Sequence, residues 1–188
     1  MNTNKIVIGV AGMPGSGKSV IVEAARQNGY SVIVMGDIIR EETQKKGLAL
    51  NPENIGKVML ELREKSGSTT IAEKCIPKIE QNTNERVIVD GIRSLAEADT
   101  FARHFPKFTL VAVHASPQTR FKRLNIRGRS DDTDKWETFH ERDVRELSVG
   151  IGNAIAMAEY MLINDGHKGA VDARAAKLLQ EVENKWKK

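Results

Sequence analysis

One segment near the start of the chain constrains the fold more than any other. It is Gly12–Ser19, with the sequence GMPGSGKS, and it matches the pattern G-x-x-x-x-G-K-[ST] at every fixed position. An apolar, β-branched run, Lys5–Ala11, precedes it, and an amphipathic stretch, Lys18–Gln27, follows it. A strand, a glycine-rich loop and a helix in this order are typical of a parallel α/β protein whose loop holds phosphate groups at a helix N-terminus.

The chemistry of this phosphate loop (P-loop) predicts its ligand. Glycines allow backbone N–H groups to approach phosphate oxygens closely, and the helix adds the positive end of its dipole. Lys18 is expected to reach the β- and γ-phosphates, and the Ser19 hydroxyl to ligate Mg²⁺. We therefore predict ATP and Mg²⁺ as cofactors. The residues predicted to bind the nucleotide are Gly12, Met13, Pro14, Gly15, Ser16, Gly17, Lys18, Ser19 and Val20.

Two competing interpretations of the P-loop are weaker. A glycine-rich turn that only packs would not need both the fixed Lys-Ser pair and the flanking strand and helix. The N-K-x-D pattern by which GTPases recognise guanine is absent from the sequence.

Apolar runs of strand length alternate with helical patterns along the rest of the chain. Continuous Val/Ile/Leu runs are typical of parallel strands buried on both faces. We expect strands at Lys5–Ala11, Ser31–Met35, Arg86–Val89, Phe108–Val113 and Tyr160–Ile163. We expect helices at Lys18–Gln27, at Asp37–Lys46, from Asn51, and at Thr69–Gln81, Ala96–His104, Ser116–Arg127, Thr133–Met157 and Val171–Trp186. The predicted fold class is α/β, a five-stranded parallel sheet with helices on both faces.

Length, cysteine content and charge narrow the class of protein. The 188 residues fit a single domain spanning 1–188. The apolar stretch Ile6–Met13 is too short to cross a membrane, and the single cysteine, Cys75, suits a reducing cytoplasm. The net charge of +4 suits a protein that binds nucleic acid or an anionic substrate. The lack of interleaved aromatic and basic residues disfavours nucleic acid as the partner. The oligomeric state stays open.

Arginines cluster in the second half of the chain. Arg120, Arg123 and Arg127 are spaced as i, i+3 and i+7, which places them on one side of a helix. Guanidinium groups bind phosphate with two parallel hydrogen bonds, so this cluster is a candidate clamp on a phosphoryl group in transfer. A solvated basic face is the alternative. The catalytic candidates are Lys18, Arg123, Arg127, Arg129 and Arg142, with Arg145 left open as an alternative to Arg142.

Two aspartates follow predicted strands. Asp90 ends a buried strand, where aspartate is disfavoured. It is a candidate for holding a Mg²⁺-bound water, alongside Ser19, or for orienting the acceptor; an Asp-Gly turn is the alternative. Asp37 either caps the helix that follows it or accepts a proton from an attacking hydroxyl.

Several motifs, in order and in spacing, resemble the nucleoside monophosphate kinases of the adenylate kinase kind. They are Gly36–Arg40 (GDIIR), Asp90–Arg93 (DGIR), Ala96–Asp99 (AEAD), the pair Arg123 and Arg127, and Arg129–Asp132 (RSDD). More narrowly, the chain looks like the archaeal adenylate-kinase-related proteins, with dephospho-CoA kinase as a neighbouring resemblance.

The resemblance implies a division of the site. The acceptor would be a small phosphorylated molecule, bound by the helical region about 36–82 with Asp37, Arg40, Arg93 and Glu97. A short lid about 120–135 would carry arginines that hold the transferring phosphoryl group.

The chain departs from the family pattern at informative positions. Arg93 arrives one residue early because the proline of the family motif is missing, and Glu97 stands where an adenine-recognising glutamine is expected. A carboxylate only accepts hydrogen bonds, so Glu97 favours an acceptor that presents donors, or no base at all. A nucleoside monophosphate leads as acceptor, dephospho-CoA is second with Asp37 as base, and a non-nucleotide phosphate is third. A nucleotide-dependent switch ATPase is the competing function.

Overall fold

Five parallel strands form one sheet in the described part of the chain, which comprises residues 4–128 and 132–187 of a computed structural model. The strands are β1 (Ile6–Ala11), β2 (Ser31–Val34), β3 (Arg86–Ile92), β4 (Lys107–His114) and β5 (Tyr160–Ile163). They lie in the order β2-β3-β1-β4-β5, with Ile8 of β1 opposite Ile88 of β3 and Thr109 of β4. The predicted α/β class with a five-stranded parallel sheet is confirmed.

Helices connect the strands and cover the sheet. Within the described residues they are α1 (Ser19–Gln27), α2 (Met35–Lys45), α3 (Pro52–Ser66), α4 (Thr70–Glu80), α5 (Leu95–His104), α6 (Pro117–Arg127), α7 (Trp136–Val149), α8 (Ile151–Ala156) and α9 (Lys168–Trp186). Side chains that accept a backbone N–H fix three of the helix starts. Asn51 accepts from Asn54 at 2.8 Å, Ser94 from Glu97 at 3.2 Å and Ser116 from Thr119 at 3.3 Å.

The alternation of side chains along β1 divides the core into two layers. Val7 packs with residues of α2, α4, α5 and α8, such as Ile38 and Phe101, whereas Ile8 packs with α1 and α9 through Ile21 and Leu179. Because successive strand residues point to opposite faces, an apolar run buries one set on each side of the sheet.

Several predicted elements differ from the structure: β3 continues through Asp90 to Ile92, and α9 begins at Lys168 and not at Val171. The helix predicted over Thr133–Met157 is two helices, α7 and α8, because Gly150 between them has φ of 106°, a left-handed conformation that ends the first helix. Helix α2 begins at Met35, directly after β2, so Asp37 lies in its first turn and Val34 occupies the cap position. Of the two roles considered for Asp37, the capping role is therefore wrong, although the positive end of the helix dipole stabilises its negative charge.

The parallel arrangement gathers the polar loops at one edge of the sheet. Gly12 follows β1, Asp90 lies near the end of β3, and Asn164 follows β5. Ligands of open parallel sheets bind beyond these carboxyl ends.

Candidate functional site

The P-loop turns tightly between β1 and α1, and two of its glycines are required by space. A Cβ on Gly12 would come within 2.6 Å of both Ser16 Oγ and the Val113 carbonyl oxygen. Gly17 has φ of 83°, and a Cβ there would lie 2.2 Å from Asn164 Nδ2. No side chain fits at either position, so the compact loop requires glycine at both.

Lys18 and Asp90 are two charged side chains that line the cleft beside the loop. Lys18 Nζ donates to the Gly12 carbonyl at 2.9 Å. Burial lowers the pKa of Lys18, and the charge of Asp90 opposes that shift. Burial raises the pKa of Asp90, against the opposing charges of Lys18 and Arg93.

Two buried polar atoms beside this loop, Ser16 Oγ and Asp90 Oδ1, have no hydrogen-bond partner among residues 4–128 and 132–187. Buried polar atoms in folded proteins are nearly always paired. An unpaired hydroxyl in the loop and an unpaired carboxylate oxygen on β3 are therefore candidates to pair with a polar ligand.

Arg123 braces the P-loop from the side of β5. Its Nη1 donates to the Ser16 carbonyl at 3.3 Å, and its Nη2 donates to the Asn164 carbonyl at 2.8 Å. Asn164, only 4% exposed, donates through Nδ2 to the same Ser16 carbonyl at 2.9 Å. The structure therefore places Arg123 on the backbone of the loop, and not among the residues that line the cleft described next.

A cleft of about 270 Å³ opens between the P-loop, the end of β3 and helices α2, α3, α6 and α7. Among the described residues that line it, six are basic and three are acidic. The basic ones are Lys18, Arg40, Arg63, Arg93, Arg127 and Arg142, and the acidic ones are Asp90, Glu97 and Glu146. The excess of positive charge suits anionic ligands.

Where α6 and α7 border the cleft, Asp132 accepts hydrogen bonds from Arg127 and Arg142. Arg127 donates to it through Nε at 2.8 Å and Nη2 at 2.6 Å, and Arg142 donates through Nη1 at 3.4 Å. Arg145 is exposed and does not line the cleft, so the geometry favours Arg142 over Arg145. Arg129, another predicted catalytic arginine, lies outside the described residues.

The two arginines predicted to bind the acceptor, Arg40 and Arg93, each contact a carboxylate. Arg40 lines the cleft and forms an ion pair with Asp37, whose side chain is 55% exposed. Arg93 donates to Glu146 of α7 at 3.1 Å. Arg93 and Glu97 both line the cleft as expected, and Asp37 does not.

Two charged residues of the cleft carry no signal in the sequence. Arg63 and Glu146 line the cleft, but they lie within charge-rich helical stretches that carry no motif. Asn164 is identifiable from its place directly after the fifth predicted strand, at the edge of the sheet where ligands bind.

The fold and the P-loop together define a P-loop kinase fold. The AAA domain family model matches residues 11–140. The UPF0200 protein of Hyperthermus butylicus is 47% identical over 179 residues, covering 95% of this chain and 96% of that protein. The UPF0200 protein of Methanocaldococcus jannaschii is 45% identical over 185 residues, covering 97% and 93%. The chain belongs to the UPF0200 family, and its residues 11–140 to the AAA domain family.

Solved structures match over nearly the whole chain. Shikimate kinase from Bacteroides thetaiotaomicron superposes with a TM-score of 0.65 at 16% identity, covering 93% of this chain and 98% of that one. TT1252 from Thermus thermophilus gives 0.64 at 19% identity, covering 94% and 97%. At this identity the likeness concerns the fold alone. No described helix is both long enough and apolar enough to span a bilayer.

Proposed function

We propose that the protein is an ATP-dependent phosphotransferase that moves the γ-phosphoryl group of Mg·ATP to a small phosphorylated acceptor. One observation carries the proposal: a P-loop with its lysine opens onto a single cleft that also carries arginines from the acceptor side and from the lid side. Phosphoryl transfer depends on positioning and on neutralising charge, and this arrangement supplies both.

The residues around the P-loop fit a magnesium-bound nucleotide. The unpaired Ser16 Oγ can donate to a phosphate oxygen, and the unpaired Asp90 Oδ1 can accept from a metal-bound water. Ser19 and Asp90 would hold a bound Mg²⁺, Ser19 through its hydroxyl and Asp90 through a metal-bound water. When bound, Mg²⁺ would neutralise charge on the phosphates.

The remaining residues divide between the two substrates. Lys18 exchanges its bond to the Gly12 carbonyl for the nucleotide's β- and γ-phosphates. Arg127 and Arg142 neutralise the phosphoryl group in transfer, and we extend this role to Arg129. Arg123 acts through the loop backbone that it holds. Arg40, in the helical region 36–82, and Arg93, which follows β3, hold the acceptor. Residues about 120–135 of the same domain form a lid that covers it.

Among acceptors, a nucleoside monophosphate comes first, since the motifs around Arg40 and Arg93 resemble that family. A hydroxyl acceptor such as dephospho-CoA would need a base, and the exposed, arginine-paired Asp37 does not line the cleft. A cytoplasmic location, where the buried Cys75 thiol stays reduced, belongs to the same proposal.

The test is ADP formation from Mg·ATP with AMP, GMP, CMP, UMP, dephospho-CoA or no acceptor. Strong stimulation by one acceptor is the expected result. Lys18→Ala should abolish turnover, whereas Lys177→Ala, an exposed change on α9, should not. Slow ADP formation at the same rate with and without each acceptor would favour the switch ATPase over the kinase.

A further inference from the structure

A buried ion pair on the acceptor side joins Arg63 of α3 to Glu97 of α5. Arg63 Nη2 donates to Glu97 Oε1 at 3.2 Å, and the other carboxylate oxygen, Oε2, accepts the backbone N–H of Arg93 at 2.8 Å. The side chain of Glu97 is 1% exposed and that of Arg63 is 15% exposed. One buried carboxylate thus fixes both an arginine side chain and the loop that carries a second arginine.

This geometry changes the role open to Glu97. Each of its oxygens already accepts a hydrogen bond, and its burial leaves almost no surface for a base to approach. Recognition of a base by Glu97 would require Arg63 to move away and leave a buried carboxylate without its charge partner, which is costly.

Arg63, in contrast, keeps donors for a ligand. In the described part of the chain Glu97 is its one hydrogen-bond acceptor, through a single N–H. A guanidinium carries a fork of N–H donors that matches a phosphate or a carboxylate. Arg63 lines the cleft with Arg40 and Arg93, so three guanidinium groups from separate elements border the acceptor side.

We infer that Arg63 binds the anionic group of the acceptor, and that Glu97 is a positioning residue that orients Arg63 and the Arg93 loop. The acceptor is thus recognised through its phosphate or carboxylate group, and its remainder lies against the apolar wall formed by Ile39, Met59 and Ile71. The inference rests on the proposed function, because it takes this half of the cleft as the acceptor site.

The experiment uses the full chain with the P-loop filled. Binding of Mg·AMPPNP, a non-hydrolysable ATP analogue, is measured first by calorimetry. Inorganic phosphate is then titrated into the loaded protein while the arginine Nε–H signals are followed by NMR, and acetate is titrated in a parallel sample. The Arg63 signal is assigned by its loss in Arg63→Lys.

Phosphate should shift the Arg63 signal, and Arg63→Gln should weaken phosphate binding by about 10-fold or more, as expected for loss of a charged hydrogen-bond donor. Arg63→Lys should recover part of that loss. Glu97→Gln should also weaken binding, because one amide oxygen cannot satisfy both donors. Arg103→Gln on α5 is the matched control and should change nothing. If acetate, and not phosphate, shifted the Arg63 signal, the anionic group of the acceptor would be a carboxylate.

Two outcomes would count against different claims. Unchanged phosphate and acetate binding in Arg63→Gln, or no binding of either ion to the wild type, would overturn the inference. Failure of the wild type to bind Mg·AMPPNP would instead contradict the proposed function. Unfolding curves and Mg·AMPPNP affinity are measured for every variant to show that it folds, and Arg63→Lys, which keeps a positive charge beside Glu97, should match the wild type within error in both.

The acceptor panel gives a second readout. If Glu97 positions Arg63, Glu97→Gln lowers kcat/KM for AMP and GMP in the same proportion. A change in the AMP to GMP ratio would show that Glu97 recognises the base, and the inference would fail.

Discussion

Arg120 and Asp143 form a buried ion pair that joins α6 to α7 beside the P-loop. The two guanidinium nitrogens Nη1 and Nη2 donate to the two carboxylate oxygens at 2.8 Å and 2.6 Å. Arg120 also donates to the Pro14 carbonyl at 3.2 Å, and its guanidinium lies 5.0 Å from the centre of the Phe139 ring. A single side chain that is 4% exposed thus links the phosphate loop to α7.

Asp143→Ala should destabilise the protein strongly. It leaves the Arg120 charge buried without its partner, and breaking such a pair costs about 3–5 kcal/mol. Urea unfolding monitored by circular dichroism measures the change. Asp172→Ala, on the exposed face of α9, is the control and should stay within about 0.5 kcal/mol of the wild type. A loss of less than about 1 kcal/mol for Asp143→Ala would mean that solvent reaches Arg120.

Asp90→Asn should stabilise the ligand-free protein while impairing turnover. Burial raises the pKa of Asp90 above its ordinary value of 3.8, so ionising the carboxylate costs more in the folded than in the unfolded chain. The stability that the protonated group provides is complete below the unfolded pKa and is lost as pH rises through the higher, folded pKa. The neutral amide of Asp90→Asn does not ionise, so the variant does not lose stability as the pH rises through this range.

Thermal unfolding without nucleotide, followed from about pH 4 to pH 8, tests this sign. The advantage of Asp90→Asn over the wild type should be small at the acidic end and grow with pH, to about 0.5–2 kcal/mol, the usual size of a stabilising substitution. A wild type that is more stable than the variant at neutral pH would show that the attraction between Asp90 and Lys18 outweighs burial.

How much of this site the sequence predicts depends on whether its parts are contiguous. The P-loop lies within eight successive residues, and its glycines, lysine and serine have fixed chemical tasks, so Gly12–Ser19 is predictable. The parallel strands are equally predictable, because burial on both faces demands continuous apolar runs such as that around Ile8. Asp90 could be recognised as unusual only because an aspartate interrupts such a run.

The partners of the charged residues could not be predicted. Arg63 and Glu97 are 34 positions apart, and Arg93 and Glu146 are 53 apart, so only the folded chain brings them together. Helical spacing places Arg120 and Arg123 on one side of α6. It does not reveal that both donate to P-loop carbonyls, or that Arg127 lines the cleft. Long-range packing decided each of these contacts.

Gly150→Ala should destabilise the protein, and Gly56→Ala should do the opposite. Gly150 has φ of 106°, which alanine adopts only with strain, so we expect a loss of about 1–3 kcal/mol. Gly56 lies within α3 and a Cβ there would meet nothing within 4 Å, so alanine should add up to about 1 kcal/mol through helix propensity. Denaturant unfolding of the two variants side by side measures both. Equal effects would contradict the left-handed break between α7 and α8.

Arg142→Ala and Arg145→Ala form a matched pair on α7, three residues apart. Arg142 lines the cleft and donates to Asp132, whereas Arg145 is exposed outside it. An arginine that neutralises a phosphoryl group in transfer contributes a factor of about 10³ or more to kcat in related chemistry, so we expect Arg142→Ala to reduce kcat at least about 100-fold. Arg145→Ala should leave kcat within about 3-fold, as expected of a surface charge. The two kcat values are measured at saturating Mg·ATP with the best acceptor from the panel. If Arg145→Ala proved the more damaging change, α7 would have to turn by about 60° about its axis on substrate binding, the angle that separates positions i and i+3, and the roles of the two arginines would be exchanged.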